Sequence, residues 1–397
     1  MSDASASVGR GPLAGIRVLD ITSVVMGPLA TQILGDLGAD VICVESARGD
    51  TNRRMSSGVV RGLSDVSLNL LRNKRNLAID LKDPAGRDAV LALAATCDVV
   101  VTNLRPGPLR RLRLDYEAVR EVNAEVVYVR ASGFASDDPR AEEPAYDDII
   151  QGATGVPDLM LRARGEAAFV PTLIADKVSG LTLAYGILAA LVHKARTGEG
   201  QFVEVPMFDA VSAFLMVEHS AGVVSDPAGP AGYQAILTRE RRPQRSRDGM
   251  VVIFPYLPEH WAALLEASGH AELVGDPRLT PRTIEDRTFI YETLERVVAT
   301  KTTDEWMAFC RERSIPATAV PRIEEIVAAW PEVVHPLAGA YRSSPAPVRL
   351  SRSPSSIRRG APLVGEHNRE VLGEAGLDDA SIDDLEQRGV LRRQEPS

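Results

Sequence analysis

The amino-acid sequence predicts an α/β fold in which a Rossmann-like large domain with a parallel sheet carries a smaller α/β domain as an insertion. Short apolar runs of strand length alternate with helical segments through the first half of the chain. With 397 residues, the chain is longer than one hydrophobic core usually organises. A stretch rich in small residues, proline and glycine at 220–230 (SAGVVSDPAGP) separates this alternation from a second module.

The alternation begins at residues 16–20 (IRVLD), a short apolar run typical of a buried parallel strand. Pro28 stands where a helix can begin, residues 29–37 carry apolar side chains at helical spacing, and Gly38 can end that helix. The repeated pattern predicts further strands at 41–45, 76–81, 98–103, 126–131 and 201–205, and further helices at 84–96, 116–123, 177–197 and 207–217. The helix at 177–197 is long and apolar, which predicts that it is buried.

The second half of the chain predicts a small α/β module and a tail. The module has a strand at 250–255 and helices at 259–266, 288–299 and 303–311, and the tail ends in a helix near 381–388. Thr302 and Glu305 are spaced as a capping box for the third of these helices. We therefore predict that residues 1–220 and 328–397 form the large domain and that residues 232–327 form the small one.

Charge and composition argue against several classes of protein. The net charge of -9 disfavours nucleic acid as the main partner, and no apolar run is long enough to predict a membrane span. Residues 1–10 are small and polar, so we expect a short disordered tail rather than a signal peptide. The three cysteines, at 43, 97 and 310, lie far apart without a CxxC motif or a Cys/His cluster. We expect a cytosolic, metal-independent protein with no permanently bound cofactor.

The loop after the first predicted strand argues against a nicotinamide cofactor. It reads ITSVVMGP at 21–28 and lacks the GxGxxG glycines that let a backbone approach a pyrophosphate. The sequence also lacks the GxxxxGK[ST], HExxH and GxSxG motifs, the signatures of P-loop proteins, zinc proteases and α/β-hydrolases.

Two features have alternative interpretations on spacing alone. Asp176 lies at the start of the long predicted helix, where it is either the helix cap or a carboxylate with a chemical role. The basic cluster of Arg105, Arg110, Arg111 and Arg113 is either a solvated helix face or a phosphate site, because arginine pairs bidentately with phosphate.

A series of segments bears on these alternatives and favours a chemical role for Asp176. They are, in order, LAGIRVLDITSVVMGPLATQILGDLGADVICVE, NKRNLAIDLK, VVVTNLRPGPLRRLRL, YVRASGF, AYDDIIQGATG, IADKVSGLTLAYGILAALVHKARTGEGQFVEVPMFDA and PLVGEHNREVLGEAGL. Together they resemble the family III CoA-transferases, the CaiB/BaiF-like group that includes formyl-CoA, carnitine and bile-acid CoA-transferases and the α-methylacyl-CoA racemases. The matches run from about Leu13 to the C-terminus.

The resemblance implies that Asp176, in the segment IADK, is a nucleophile. Its carboxylate would attack an acyl-CoA thioester to give a mixed anhydride and free CoA thiolate. The thiolate would then attack the aspartyl carbonyl, forming an enzyme–CoA thioester and releasing the donor acid. An incoming carboxylate would reverse these steps. CoA itself is therefore expected as a substrate, together with a carboxylic acid.

The resemblance also implies a set of CoA contacts. The residues that match the family's binding positions are Asn103 and Leu104 at the adenine, Arg111 near the phosphates, Ile79 and Lys82 along the nucleotide, Val24 and Val25 at the pantetheine and acyl end, and Tyr146 and Asp147 beside Asp176. Ordinary loop packing is the alternative interpretation for the two valines, and a helix start without chemistry is the alternative for Tyr146 and Asp147.

Three departures from the family pattern bear on the acyl group. Val25 stands where formyl-CoA transferases carry a glutamine that contacts the small acid. The basic stretch 237–249 (LTRERRPQRSRDG) replaces their glycine-rich flap. Ser46 stands where they place an arginine, with Arg48 two residues further on. These differences favour a larger or more apolar acyl group than formyl.

Two other functions remain as hypotheses. Racemases of the family pair the aspartate with a histidine, but the matching position here is Tyr146, and tyrosine is ordinarily a weak base at neutral pH. A CoA-binding protein without catalysis would keep the basic clusters and would not need Asp176. The resemblance further implies a homodimer whose two ring-like chains are interlinked, a topology that composition alone never predicts.

Overall fold

The computed structural model describes residues 11–280 and 283–394, so the predicted tail at 1–10 lies outside the described residues. The described residues form two compact units. The larger consists of those within Met1–Thr154, Pro171–Phe214 and Trp330–Ser397, and the smaller of those within Gly155–Val170 and Leu215–Ala329. The smaller unit thus includes segments outside 232–327. The sequence-based domain boundaries stay a prediction.

The helices and strands alternate through the first half of the chain, as predicted. The helices are α1 Met26–Asp36, α2 Asp65–Leu70, α3 Pro84–Ala94, α4 Pro106–Leu112, α5 Tyr116–Val122, α6 Asp147–Ala153, α7 Val156–Arg164, α8 Ile174–Thr197, α9 Met207–His219, α10 Pro258–Ser268, α11 Ile284–Val298, α12 Thr303–Glu312, α13 Ile323–Ala328, α14 Asn368–Glu374 and α15 Asp379–Gln387. The strands are β1 Arg17–Ile21, β2 Asp40–Glu45, β3 Lys74–Ala78, β4 Val99–Thr102, β5 Val127–Ser132, β6 Gln201–Pro206, β7 Gln244–Arg245, β8 Met250–Ile253, β9 Ala317–Ala319, β10 Glu332–His335 and β11 Gly339–Arg342.

A six-stranded parallel sheet organises the larger unit, which confirms the predicted α/β fold. Its strand order is β3-β2-β1-β4-β5-β6, so the direction of winding reverses between β1 and β4. Val18 of β1 pairs with Val41 on one side and Val99 on the other, and all three side chains are buried. Such runs of valine and isoleucine suit strands that are covered by helices on both faces.

The smaller unit has its own core. Its three-stranded antiparallel sheet, β7-β8-β9, packs with α10, α11 and α12 around Trp261, Val297 and Trp306. Helix α12 begins with the predicted capping box, because Thr302 accepts from the backbone of Glu305 and the Glu305 side chain accepts from Thr302. The box satisfies amides that would otherwise lack partners at the helix start.

Strand β3 begins two residues earlier than predicted. The apolar pattern did not reveal this start because the first two residues of the strand are charged. Lys74 and Arg75 are nevertheless buried in the strand. Lys74 pairs with Asp20, and Arg75 pairs with Asp40 and Glu374. Burial of charged groups is tolerated where they are paired, and these partners are distant in sequence. Hydrophobic periodicity therefore could not identify this strand start.

The sequence pattern did not predict the short helices α2, α4, α6, α7, α13 and α14, the short strands β7 and β9, or the hairpin of β10 and β11. The missed helices have six to nine residues, too few for the apolar period to be recognised. The tail was assigned one helix, near 381–388, which appears as α15.

Helix α8 was predicted to be buried, and this is only partly right. Its inner face packs closely on α1, since a Cβ at Gly180 would lie 2.9 Å from the Met26 carbonyl oxygen. On its outer face Leu181, Tyr185 and Val192 are 55%, 63% and 57% exposed. By length and composition alone, it is the one helix among the described residues that could cross a membrane. Half of its most apolar stretch is buried, as in the core helix of a globular protein.

Candidate active site

Two loops meet at the carboxyl edge of the large sheet, between β1 and β4. Residues 22–25 connect β1 to α1, and residues 103–105 connect β4 to α4. Ligands of open α/β sheets bind in the crevice outside the strand ends where the winding reverses, and these loops form that crevice. The Asn103 side chain joins them, accepting from Ser23 N (3.1 Å) and donating to Ser23 O (2.9 Å).

A buried ion pair between Lys74 and Asp20 supports the loop at 22–25. Lys74 Nζ donates to Asp20 Oδ2 (3.0 Å), to the Pro28 carbonyl oxygen (2.9 Å) and to Thr31 Oγ1 (2.7 Å). Asp20 Oδ1 accepts from the backbone amide of Thr22 (3.0 Å). Because every charged atom here has a partner, the network fixes the end of β1 relative to the first turn of α1.

Asp176 lies beneath the same loop, in the first turn of α8. Its side chain is buried, and its Oδ1 accepts from the backbone amide of Met26 (3.2 Å). The residue before the helix, Leu173, makes no side-chain capping bond. The carboxylate is thus near the amino end of a long helix, where the helix dipole favours negative charge.

The cap of α8 comes from another helix. Asp147, the first residue of α6, accepts through Oδ1 from the backbone amides of Ala175 (2.8 Å) and Asp176 (3.1 Å). Its Oδ2 accepts from Gln151 Nε2 (2.6 Å). The interpretation that Asp176 itself caps the helix is therefore wrong. Since Asp147 satisfies these amides, the Asp176 carboxylate is left for another contact.

Burial changes the acidity of Asp176. Desolvation raises the pKa of its carboxyl from 3.8 to about 6, the nearby charge of Asp147 adds to the rise, and the Met26 amide opposes it. At neutral pH the carboxyl is ionised but poorly solvated. A carboxylate in that state is a better nucleophile than one fully surrounded by water.

A cavity of about 210 Å³ opens in front of Asp176. Four other residues that the resemblance assigns to the site line it: Val24, Asn103, Leu104 and Tyr146. Tyr146 is 66% exposed. Most of the remaining lining is small or apolar, including Met26, Pro106, Ala131, Pro144, Ala145 and Met207, with Arg105 and Glu143 as the charged members.

A second cavity, of about 700 Å³, adjoins the first. Ile79, Lys82, Leu104 and Arg111, all predicted nucleotide contacts, line it. Ser23 and Leu104 line both cavities, so the two adjoin at these residues, and Asp176 lines the smaller one. Ser46 also lines the larger cavity, at the position where formyl-CoA transferases carry an arginine.

Two predicted site residues line neither of these cavities. Val25 is buried at the start of α1, and Asp147 lies behind Asp176 as the cap of α8. Sequence reasoning missed the backbone amide of Met26 and the side chain of Asp50. Asp50 follows β2 at the same sheet edge. A carboxylate just after the carboxyl end of a parallel strand is the sequence signal that could have identified it as a site residue.

The arginines in and beside helix α4 do not all face the same cavity. Arg111 lines the larger cavity, whereas Arg110 pairs with Glu142 (3.4 Å) on an exposed surface. A phosphate role for Arg111 stays a prediction. Across 11–280 and 283–394, no three His, Cys, Asp or Glu side chains are grouped so that they could hold a metal ion.

Residues 13–368 match the family described as CoA-transferase family III. A probable fatty acyl-CoA transferase of Mycobacterium tuberculosis is 30% identical over 91% of this chain and 97% of its own. A formyl-CoA:oxalate CoA-transferase of Streptomyces avermitilis is 32% identical over 96% and 99%. The crystal structure of a CaiB/BaiF family protein from Brucella suis superposes with a TM-score of 0.80 at 26% identity, covering 92% of this chain and 100% of that one.

Replacing Asp147 separates its role as a cap from its charge. Asp147→Ala removes the acceptor of two α8 amides, so we expect the free energy of unfolding to fall by about 1–2 kcal/mol. Asp147→Asn keeps an acceptor oxygen and should lose less than half as much. The exposed neighbour Asp148 provides a matched control, Asp148→Ala, expected within about 0.5 kcal/mol of wild type. Urea denaturation measures all three, and equal losses in the Ala and Asn variants of Asp147 would contradict the capping role.

Asp176 should also lower the stability of the folded protein above pH 6. Its folded-state pKa is raised from 3.8 to about 6, so the folded state binds a proton more tightly than the unfolded state does. The stability that this proton binding contributes is lost as the pH rises through 6. Asp176→Asn should therefore raise the free energy of unfolding at pH 8 by about 2–3 kcal/mol. The difference should disappear below pH 4. Denaturation across this pH range is the measurement, and a pH-independent difference argues against a buried, ionised carboxylate.

Proposed function

The chain belongs to CoA-transferase family III and is therefore an enzyme of CoA transfer, and on this premise we propose that Asp176 carries CoA from an acyl-CoA to an acceptor carboxylic acid. One observation carries the proposal. The buried carboxylate of Asp176 lines the smaller of two adjoining cavities, and the larger one is lined by Lys82 and Arg111. The family assignment sets aside the hypothesis of a CoA-binding protein without catalysis.

In the first step the Asp176 carboxylate attacks the carbonyl carbon of the thioester. A carbon–oxygen bond forms, the carbon–sulfur bond breaks, and CoA leaves as a thiolate. The product is an acyl-aspartyl anhydride. The small cavity supports this step because Asp176 lines it, so an acyl group bound there would lie beside the carboxylate.

In the second step the thiolate attacks the aspartyl carbonyl of the anhydride. The donor acid leaves with one of the original carboxylate oxygens, and the enzyme holds CoA as an aspartyl thioester. Negative charge develops on the aspartyl oxygen, the atom that already accepts from the Met26 amide. The acceptor acid then attacks this thioester, and the same two steps in reverse release the new acyl-CoA.

The larger cavity is the proposed seat of the nucleotide part of CoA. Lys82 and Arg111 supply positive charge, and Ile79 and Leu104 supply apolar surface. The pantetheine arm would pass Ser23 and Leu104, which line both cavities, and reach Val24. Asn103 lines the small cavity rather than the larger one and bonds to Ser23, so we propose that it orients the loop at 22–25 rather than contacting the adenine.

The lining of the small cavity bears on the acyl group. Its lining combines apolar side chains, among them Met26, Met207 and several alanines and prolines, with polar ones such as Arg105, Ser132 and Glu143. Val25 and Ser46 also replace polar residues of formyl-CoA transferases. We therefore propose an apolar or branched acyl group rather than formyl, even though a formyl-CoA:oxalate transferase is among the relatives.

A 2-methylacyl-CoA racemase is the alternative within the family. Two-base proton exchange needs a second base facing Asp176. The described lining of the small cavity contains no histidine, and Tyr146 occupies the position at which racemases have one. Both facts favour CoA transfer.

The proposal includes an interlinked homodimer in the cytosol. Leu181, Tyr185 and Val192 form an exposed apolar stripe on α8, and a stripe of this kind is usually covered by a partner. The three cysteines are free and buried, which agrees with a reducing compartment.

Trapping the intermediates tests the proposal. Incubation with an acyl-CoA followed by hydroxylamine should convert Asp176 to a hydroxamate, which peptide mass spectrometry detects. Asp176→Asn should show no adduct and a fall in turnover of at least about a thousandfold, as expected when a covalent nucleophile is removed. Deuterium exchange at the acyl α-carbon without an adduct would instead support racemisation. Full turnover in a folded Asp176→Asn protein would refute the proposal.

The stripe on α8 gives a separate test of the dimer. Wild-type protein should have twice the mass of one chain by light scattering, even at low concentration. Leu181→Glu, which places a charge in the proposed interface, should reduce the fraction of dimer recovered after unfolding and refolding at least about tenfold, because interlinked chains separate only on unfolding. Arg120→Glu places the same charge on the exposed face of α5 and should leave the dimer intact. A wild-type chain that is monomeric and fully active contradicts interlinking.

A further inference from the structure

Val24 has a backbone conformation that its side chain disfavours. Its φ angle is +70°, in the left-handed region. A β-branched residue rarely adopts this region, because its Cβ approaches the neighbouring carbonyl group. Residues held in such conformations persist only where the surrounding structure compels them, and they cluster at functional sites. The loop that faces Asp176 therefore contains a strained residue.

Asp50 holds this strained residue. Both oxygens of its carboxylate lie within hydrogen-bonding distance of the Val24 amide, at 3.1 and 3.2 Å. Asn52 Nδ2 donates to the Val24 carbonyl oxygen (3.3 Å), so both backbone polar groups of Val24 are engaged from one segment. That segment follows β2, and Val24 follows β1.

Asp50 is itself fixed. Its Oδ1 also accepts from the Asn52 amide (2.7 Å), and its own amide donates to Glu45 Oε2 (3.1 Å). Glu45 is paired with Arg53 (2.8 Å), and both side chains are almost fully buried. The carboxylate of Asp50 is thus a rigid acceptor and not a mobile surface charge.

The conformation of Val24 determines where the Met26 amide points. One residue separates them along the chain, and the Met26 amide is the donor to Asp176 Oδ1. If Val24 relaxed to a negative φ, the chain direction after it would change, and this donor would leave the aspartyl oxygen. Displacements of about 1 Å at a reacting group are enough to slow a reaction by about a hundredfold.

From these contacts we propose that Asp50 is a positioning residue, which holds Val24 in the left-handed conformation so that the Met26 amide faces the Asp176 carboxylate. This inference rests on the proposed function of Asp176. Asp50 also lines the larger cavity, where direct contact with CoA is the competing role. The competing role is less favoured, because the Asp50 oxygens already accept from the amides of Val24 and Asn52.

Two variants separate the two roles. Asp50→Ala removes the acceptor, and at saturating acyl-CoA we expect kcat and the rate of Asp176 acylation to fall about thirtyfold, with KM changed less than about threefold. Asp50→Asn keeps one acceptor oxygen and should lose no more than about fivefold. If instead KM rises and kcat is unchanged, Asp50 contacts CoA and the proposal is wrong. It is also wrong if the Asn variant is as slow as the Ala variant.

Removing the strain should make Asp50 less important. Glycine has no Cβ and adopts positive φ without penalty. In a Val24→Gly background the loss of kcat caused by Asp50→Ala should therefore be at least about fivefold smaller than in the wild-type background. Equal losses in the two backgrounds would contradict the proposal, because a purely structural defect would not depend on the residue at 24.

Hydrogen exchange tests the same claim without any activity. In Asp50→Ala the amides of residues 23–26 should exchange at least about tenfold faster than in wild type, while those of β4 remain unchanged. Unchanged exchange at 23–26 overturns the positioning role. Failure of the proposed function would give a different result. Wild-type protein would then form no Asp176 adduct, while Asp50→Ala would still show faster exchange at residues 23–26.

Discussion

The capping of helix α8 by Asp147 is the interaction on which the site depends. A carboxylate in the first turn of a helix normally bonds to the free amides beside it. Here the amides of Ala175 and Asp176 are bonded to a side chain of another helix. The Asp176 carboxylate is therefore available to the cavity, where the Met26 amide is its donor. If Asp147 did not accept from these amides, the Asp176 carboxylate would itself cap the helix.

The site combines several features that oppose folding. Asp176 is buried with a raised pKa, Val24 has a positive φ, and Lys74 is fully buried beneath the loop. Each is compensated locally, by the helix dipole, by Asp50 and by Asp20 respectively. Concentration of unfavourable features at one place, with compensation around them, is what physical reasoning expects of a functional site. The rest of the sheet follows ordinary packing rules.

The sequence was informative where structure depends on local pattern. Valine-rich runs such as 99–102 and the glycine at 38 predicted the alternating fold, and the capping box of α12 was identified correctly. Family resemblance brought together residues that line the two cavities, among them Ile79 and Arg111. Contacts between distant residues were not predictable from local pattern. The resemblance placed Asp147 beside Asp176 but not as the cap of α8, and no periodicity links Asp50 to Val24.

The most direct measurement follows an oxygen atom. An acceptor acid labelled with 18O attacks the aspartyl thioester, and after transfer one labelled oxygen remains in the carboxylate of Asp176. The account predicts that, during turnover, 18O appears in the peptide containing Asp176 and then in the released donor acid. Continued formation of new acyl-CoA with no label in that peptide would contradict it, because CoA would then pass between acids without the aspartyl intermediate.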